Sequence, residues 1–263
     1  MPDTPTLSQV IDTFVPQQEG WTGLAPESWA QGRTLYGGMT TALAWAMTVR
    51  SLPDLPPLRS AQVTFVGPAA GRLQIAPVLI RRGRSAAFVR VSVSGEAGPA
   101  TECLFSCGAP RNSRVAHHSA PAPSVPSPDA CEPLFPGNHG PAFAHNFAML
   151  LAAGRRPFLG GEPSFTCWTR FTRPQGVEPL TALLALADAL PPAAMVNFTE
   201  FGIISSVTWA IEVDALPTDG DAWFLQQSTA EDTADGYSRQ AMTLWSEQGR
   251  RLFAARQTVA IFV

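Results

Sequence analysis

The chain has 263 residues, 18 basic and 21 acidic, with a formal charge of −3. Its length suits one large domain or two small ones, with a core that needs no covalent staples. Near-neutral charge excludes nucleic acid and anionic membrane surfaces as expected partners, and no apolar run reaches membrane-span length.

A strand candidate lies around residues 20–30 and leads into GGMTTALAWAMTVRSLP, Gly37 to Pro53. That segment is apolar nearly all round, which predicts a helix buried on most sides and stopped by proline. Four alternating runs follow: Leu58–Val66, Leu73–Ile80, Ser85–Val93 and Thr101–Cys107. Gly67-Pro68, the tip Arg81–Arg84, Gly95 and Gly98-Pro99 break them, so they read as an antiparallel meander. A Pro/Ser/Ala-rich stretch comes next and reads as a linker with little structure of its own. Strand candidates at 145–157 and 164–172 then lead into LTALLALADALPPAAM, Leu180 to Met195, a second buried helix. A second meander completes the chain at Phe201–Val213, Trp223–Ala230, Tyr237–Trp245 and Leu252–Val263. Turns are expected at Thr218–Asp221 and Glu247–Arg250. One unit is thus used twice: residues 1–110, a linker at 111–141, and residues 142–263.

Polar residues intrude on the apolar stripes. The last strand carries Phe253, Ala255, Gln257, Val259, Ile261 and Val263 on one face, and Gln257 is its only polar member. A buried amide without partners costs roughly 1–3 kcal/mol. Gln257 therefore either fixes strand register or orients a water or a substrate carbonyl. In FGIISSVTWAIEV, Ser205 is the only polar residue on the face of Phe201, Ile203, Val207, Trp209, Ile211 and Val213. Thr229 sits on a mixed face with Leu225, Gln227 and Glu231. Asp188 interrupts an apolar helix near its C-terminal end, where the helix dipole and desolvation both raise a carboxyl pKa towards a value useful in a base. It either does that work or bonds backbone around Pro191-Pro192. Gly37-Gly38 opens the first helix, where a free N–H can polarise a carbonyl or a tight turn requires glycine. Arg81 and Arg84 offer charge to a phosphate, or guard a strand edge.

Other chemistries lack their signatures. There is no G-x-S-x-G elbow, Walker loop or dinucleotide fingerprint. Cys103 and Cys107 stand four apart in a strand-like run, roughly 13 Å, too far to bridge. With no evident signal peptide, a reducing, cytoplasmic location is expected.

A sheet wrapped around a buried helix, twice in tandem, is the α+β double hotdog. GRTLYGG at Gly32–Gly38, RRGRS at Arg81–Ser85, LADALPPA at Leu186–Ala193 and FAARQ at Phe253–Gln257 together resemble the type II acyl-CoA thioesterase family. The resemblance implies hydrolysis of an acyl-CoA thioester by a bound water, with no cofactor beyond the coenzyme A of the substrate. Hotdog proteins commonly associate through sheet edges, so a homo-oligomer is expected as well. Members of that family hold the water with an Asp, a Thr and a Gln on successive C-terminal strands. By position the Gln falls on Gln257, the Thr on Thr229 and the Asp on Ser205. A serine cannot serve as a base without help, which leaves Asp188 as the substitute acid, with Gly38 N–H on the carbonyl and Arg81 and Arg84 on the phosphates. The missing acid also admits a non-catalytic acyl-CoA binder. Hotdog dehydratases and hydratases need a histidine beside the helix, whereas His117, His118, His139 and His145 all fall in or near the linker.

Overall fold

The computed structural model describes residues 4–117, 121–138, 140–218 and 223–263. His118, His139 and most of the turn expected at Thr218–Asp221 lie outside them. A short capped helix, α1 (Leu7–Asp12), precedes strands β1 (Val15–Gln17), β2 (Gly20–Leu24), β3 (Ala30–Gln31) and β4 (Thr34–Leu35). Then come helix α2 (Gly37–Ser51) and the meander β5 (Leu58–Phe65), β6 (Arg72–Arg82), β7 (Ala86–Gly95) and β8 (Gly98–Gly108). The second half runs β9 (Glu132–Pro133), β10 (Phe147–Gly154), β11 (Ser164–Phe171) and helix α3 (Pro179–Ala187). It ends with β12 (Ile203–Val213), β13 (Phe224–Ala234), β14 (Tyr237–Ser246) and β15 (Arg251–Phe262).

Thirteen strands form one antiparallel sheet in the order β1-β2-β6-β7-β8-β5-β12-β15-β14-β13-β11-β10-β9. Each half repeats one plan: a leading strand at one edge, three meander strands, and the first strand after the helix at the centre. The halves fuse where β5 pairs with β12, from Ser60↔Glu212 to Thr64↔Thr208. This is the expected double hotdog. The segment read as a linker carries two 3₁₀ turns, and its strand β9 pairs with β10.

Both helices lie inside the wrapped sheet. In α2, residues 38–48 are all buried. Its threonines are tolerated there because Thr40, Thr41 and Thr48 return their hydroxyls to the carbonyls of Tyr36, Gly37 and Ala44. Helix α3 starts on Glu178, whose carboxylate accepts the N–H groups of Leu180 and Thr181. It is shorter than the apolar run suggests. The backbone leaves the helix at Asp188 (φ −105°, ψ 17°) ahead of Pro191-Pro192, and a 3₁₀ turn at Ala193–Asn197 takes up the rest.

The helices run past each other in opposite directions. Tyr36, just before α2, donates its hydroxyl to Ala185 O near the end of α3 at 2.9 Å. Trp45, farther along α2, donates its indole N–H to Glu178 Oε1 at the start of α3, also at 2.9 Å. The N-terminus of α2 therefore meets the C-terminus of α3.

Candidate active site

That meeting point holds Asp188. Gly38 N–H donates to Asp188 Oδ2 at 2.7 Å, and Gln257 Nε2 donates to Asp188 Oδ1 at 2.8 Å. The same amide nitrogen also donates to Ser206 Oγ at 3.1 Å. Asp188 is only 9% exposed and Gln257 6%. The constellation draws on both halves: Gly38 from the first, Asp188, Ser206 and Gln257 from the second.

The local sequence explains the close approach. A Cβ on Gly38 would lie 2.7 Å from Ala185 O and 2.9 Å from Asp188 Cβ. One on Gly37 would lie 2.8 Å from Asp188 Oδ2 and 2.6 Å from Phe65 Cζ. Helix-to-helix contact thus requires both glycines. The carbonyls freed at the end of α3 find side-chain donors: Tyr36 takes Ala185 O, and Gln226 Nε2 takes Ala187 O.

Opposing influences set the carboxyl's proton affinity. Burial raises its pKa from 3.8 to about 7, while the Gln257 and Gly38 hydrogen bonds pull it down. The titratable group facing it, Tyr36, is itself pushed well up by burial and by the Asp188 charge, so it stays a neutral donor. The product is a buried carboxylate that exchanges its proton near neutrality. The cysteine thiols do not compete as nucleophiles. Burial raises Cys103 and Cys167, and raises Cys107 to about 11, so all three stay protonated at neutral pH.

Gln257 and Asp188 come together as the sequence suggested, but other candidates do not join them. A bulge between Ser206 and Thr208 shifts the phase of β12, so Ser205 points outward and is exposed while Ser206 turns in to the amide. On β13 the side facing the helices is Phe224, Gln226, Ser228 and Ala230. Thr229 lies on the other side, its hydroxyl 2.7 Å from that of Ser164. Gly38 is at the site, but its N–H is taken by Asp188. The tip with Arg81 and Arg84 is exposed at the opposite end of α2: neighbouring Arg82 reaches Asp54 O, just past that helix. Fifteen residues of α2 separate the two ends by roughly 20 Å, so the structure does not bring those arginines to Asp188. The sequence reading missed Ser206, Tyr36, Gln226 and Phe65. Of these, only Tyr36 carried a signal, as the residue before the paired glycines.

Comparison with known proteins agrees with the architecture. A model of the acyl-CoA thioesterase N-terminal domain matches residues 25–108, and one of the acyl-CoA thioesterase C-terminal domain matches residues 128–261. Among solved structures, a conserved hot dog fold protein of Alicyclobacillus acidocaldarius superposes with a TM-score of 0.89 at 21% identity, covering 99% of each chain. A tesB protein of Mycobacterium avium subs paratuberculosis gives 0.79 at 14% identity, over 97% of this chain and 99% of that one. An acyl-CoA thioesterase II of Mycobacterium marinum gives 0.77 at 15% identity over 97% of each. No curated protein matches the chain. Among the described residues, no helix is long and apolar enough to cross a membrane.

Proposed function

The chain belongs to the acyl-CoA thioesterase family, and on that footing we propose that it hydrolyses an acyl-CoA thioester with Asp188 as general base. One observation carries this reading: a buried carboxylate with a pKa of about 7, gripped by a helix N-terminal N–H and a strand amide. A base is most effective when its pKa lies near the working pH. Asp188 takes a proton from water as the water oxygen attacks the thioester carbonyl carbon. Gln257, pinned to both Asp188 and Ser206, holds the carboxylate and offers its carbonyl oxygen to the same water. As Asp188 takes up the proton its bond to Gly38 N–H weakens, and that donor turns to the developing oxyanion. The C–S bond then breaks, the sulfur receives the proton, and free acid and coenzyme A leave. No covalent enzyme intermediate is needed.

The test is release of free thiol across a series of acyl-CoA chain lengths by the wild type and Asp188→Asn. The variant is expected to lose about 10²–10⁴ in kcat, the usual worth of general-base assistance. Absence of thiol release with every chain, with acyl-CoA still bound, selects a binding protein instead. Near-wild-type turnover by the variant removes Asp188 from the mechanism.

A further inference from the structure

The strand pairing that joins the two halves ends beside the carboxylate. Pairing of β5 with β12 ends at Thr64↔Thr208, next to the bulge in β12 and one residue before β5 itself ends at Phe65. Phe65 follows the last paired residue on β5, and Val207 and Ser206 precede the last paired residue on β12. The Phe65 ring edge and Asp188 Oδ2 crowd the same glycine: a Cβ on Gly37 would touch both, at 2.6 and 2.8 Å. Tyr36 and Met39 around that point are fully enclosed. Phe65 is different. It packs on the core from one side and keeps solvent-exposed surface on the other, and the next residue, Val66, stands exposed.

We propose that Phe65 is the gate of this site: its ring closes the end of this junction over Asp188, swings aside to admit the thioester, and selects against acyl groups branched next to the carbonyl. The inference rests on the reading of Asp188 as the base. A carbonyl carbon within reach of water on Asp188 puts its C2 substituents against the ring edge. Straight-chain acyl groups pass as a flat ribbon, and a methyl on C2 meets the ring. Phe65 acts by positioning and exclusion and takes no part in bond making.

The experiment compares butyryl-CoA with isobutyryl-CoA on wild type, Phe65→Ala and Phe65→Leu. One methyl in an apolar site is worth roughly 10–200-fold in kcat/KM. The branched-to-straight ratio should rise about tenfold or more in Phe65→Ala and by less in Phe65→Leu, and the acid limb of the rate profile should move to lower pH as water reaches Asp188. Carbon-13 NMR titration of the Asp188 carboxyl in the same variants reads the gate without turnover. A wild type that releases no thiol, with a carboxyl pKa that drops in Phe65→Ala, removes the hydrolase reading and supports the closure. An active wild type whose ratio stays within about twofold and whose Asp188 titration is unmoved in folded Phe65→Ala overturns the gate.

Discussion

Asp188→Asn also changes stability, in a direction opposite to its effect on rate. Asparagine keeps an oxygen for Gly38 N–H and removes the charge. In the wild type folding moves the carboxyl from 3.8 to about 7, and each pKa unit is worth about 1.4 kcal/mol. Ionising Asp188 therefore costs about 4 kcal/mol more in the folded than in the unfolded chain. The folded pKa is the higher one, so the protonated group's contribution is complete below the unfolded value and is lost as pH rises towards the folded one. From about pH 5 to about pH 8 the wild type loses about 3 kcal/mol through this group, and the variant, with nothing to titrate there, loses none. Urea unfolding of both proteins at the two pH values isolates the effect. Other titrating groups are shared and cancel, as does any fixed difference between Asn and protonated Asp. A double difference of about 3 kcal/mol favouring the variant at the higher pH is expected. A value below about 1 kcal/mol, or the reverse sign, would show that Asp188 is not held in an environment hostile to its charge.

Gly38→Ala should destabilise the fold by up to about 2 kcal/mol in the same unfolding assay. The helix-propensity gain of Ala, about 1 kcal/mol, is smaller than the overpacking cost of about 1–3 kcal/mol where the new Cβ meets Ala185 O. A more stable variant would mean that the helices are free to separate. Ser206→Ala should lower kcat several-fold by freeing the Gln257 amide, and Ser205→Ala should lower it less. Equal effects in steady-state assays would contradict the bulged register of β12.

The two helices and two meanders were legible because their periodicities are strong and their breaks carry Gly and Pro. Gln257 was legible as well, since the bulge opposite it inserts its extra residue into β12 and not into β15, so Phe253 to Ile261 keep strict alternation. Ser205 was misplaced because a bulge at Val207 leaves no mark in an apolar strand, and one inserted residue exchanges the faces. Thr229 was misplaced for another reason. Its face reads as mixed in the sequence and is mixed in the structure, half-buried at Gln227 and Thr229 and exposed at Glu231, and only its position relative to the family's threonine had placed it beside Gln257. Asp188 showed as a lone acid in an apolar run. Its grip on Gly38, 150 positions away in sequence, follows from the crossing of two helices and has no local signature.

The antiparallel crossing gives the molecule two look-alike poles, and on the proposed reading only one of them carries a base. Where the end of α2 meets the start of α3, Leu52 stands in the place Asp188 occupies at the other pole, and Trp45, Val49 and Leu180 line a hollow of about 270 Å³ whose nearest carboxylate, Glu178, is spent on the first N–H groups of α3 and on the Trp45 indole. On the proposed reading, two folded units share one reactive centre. A tight-binding, slowly hydrolysed analogue should accordingly titrate at a stoichiometry of one per polypeptide.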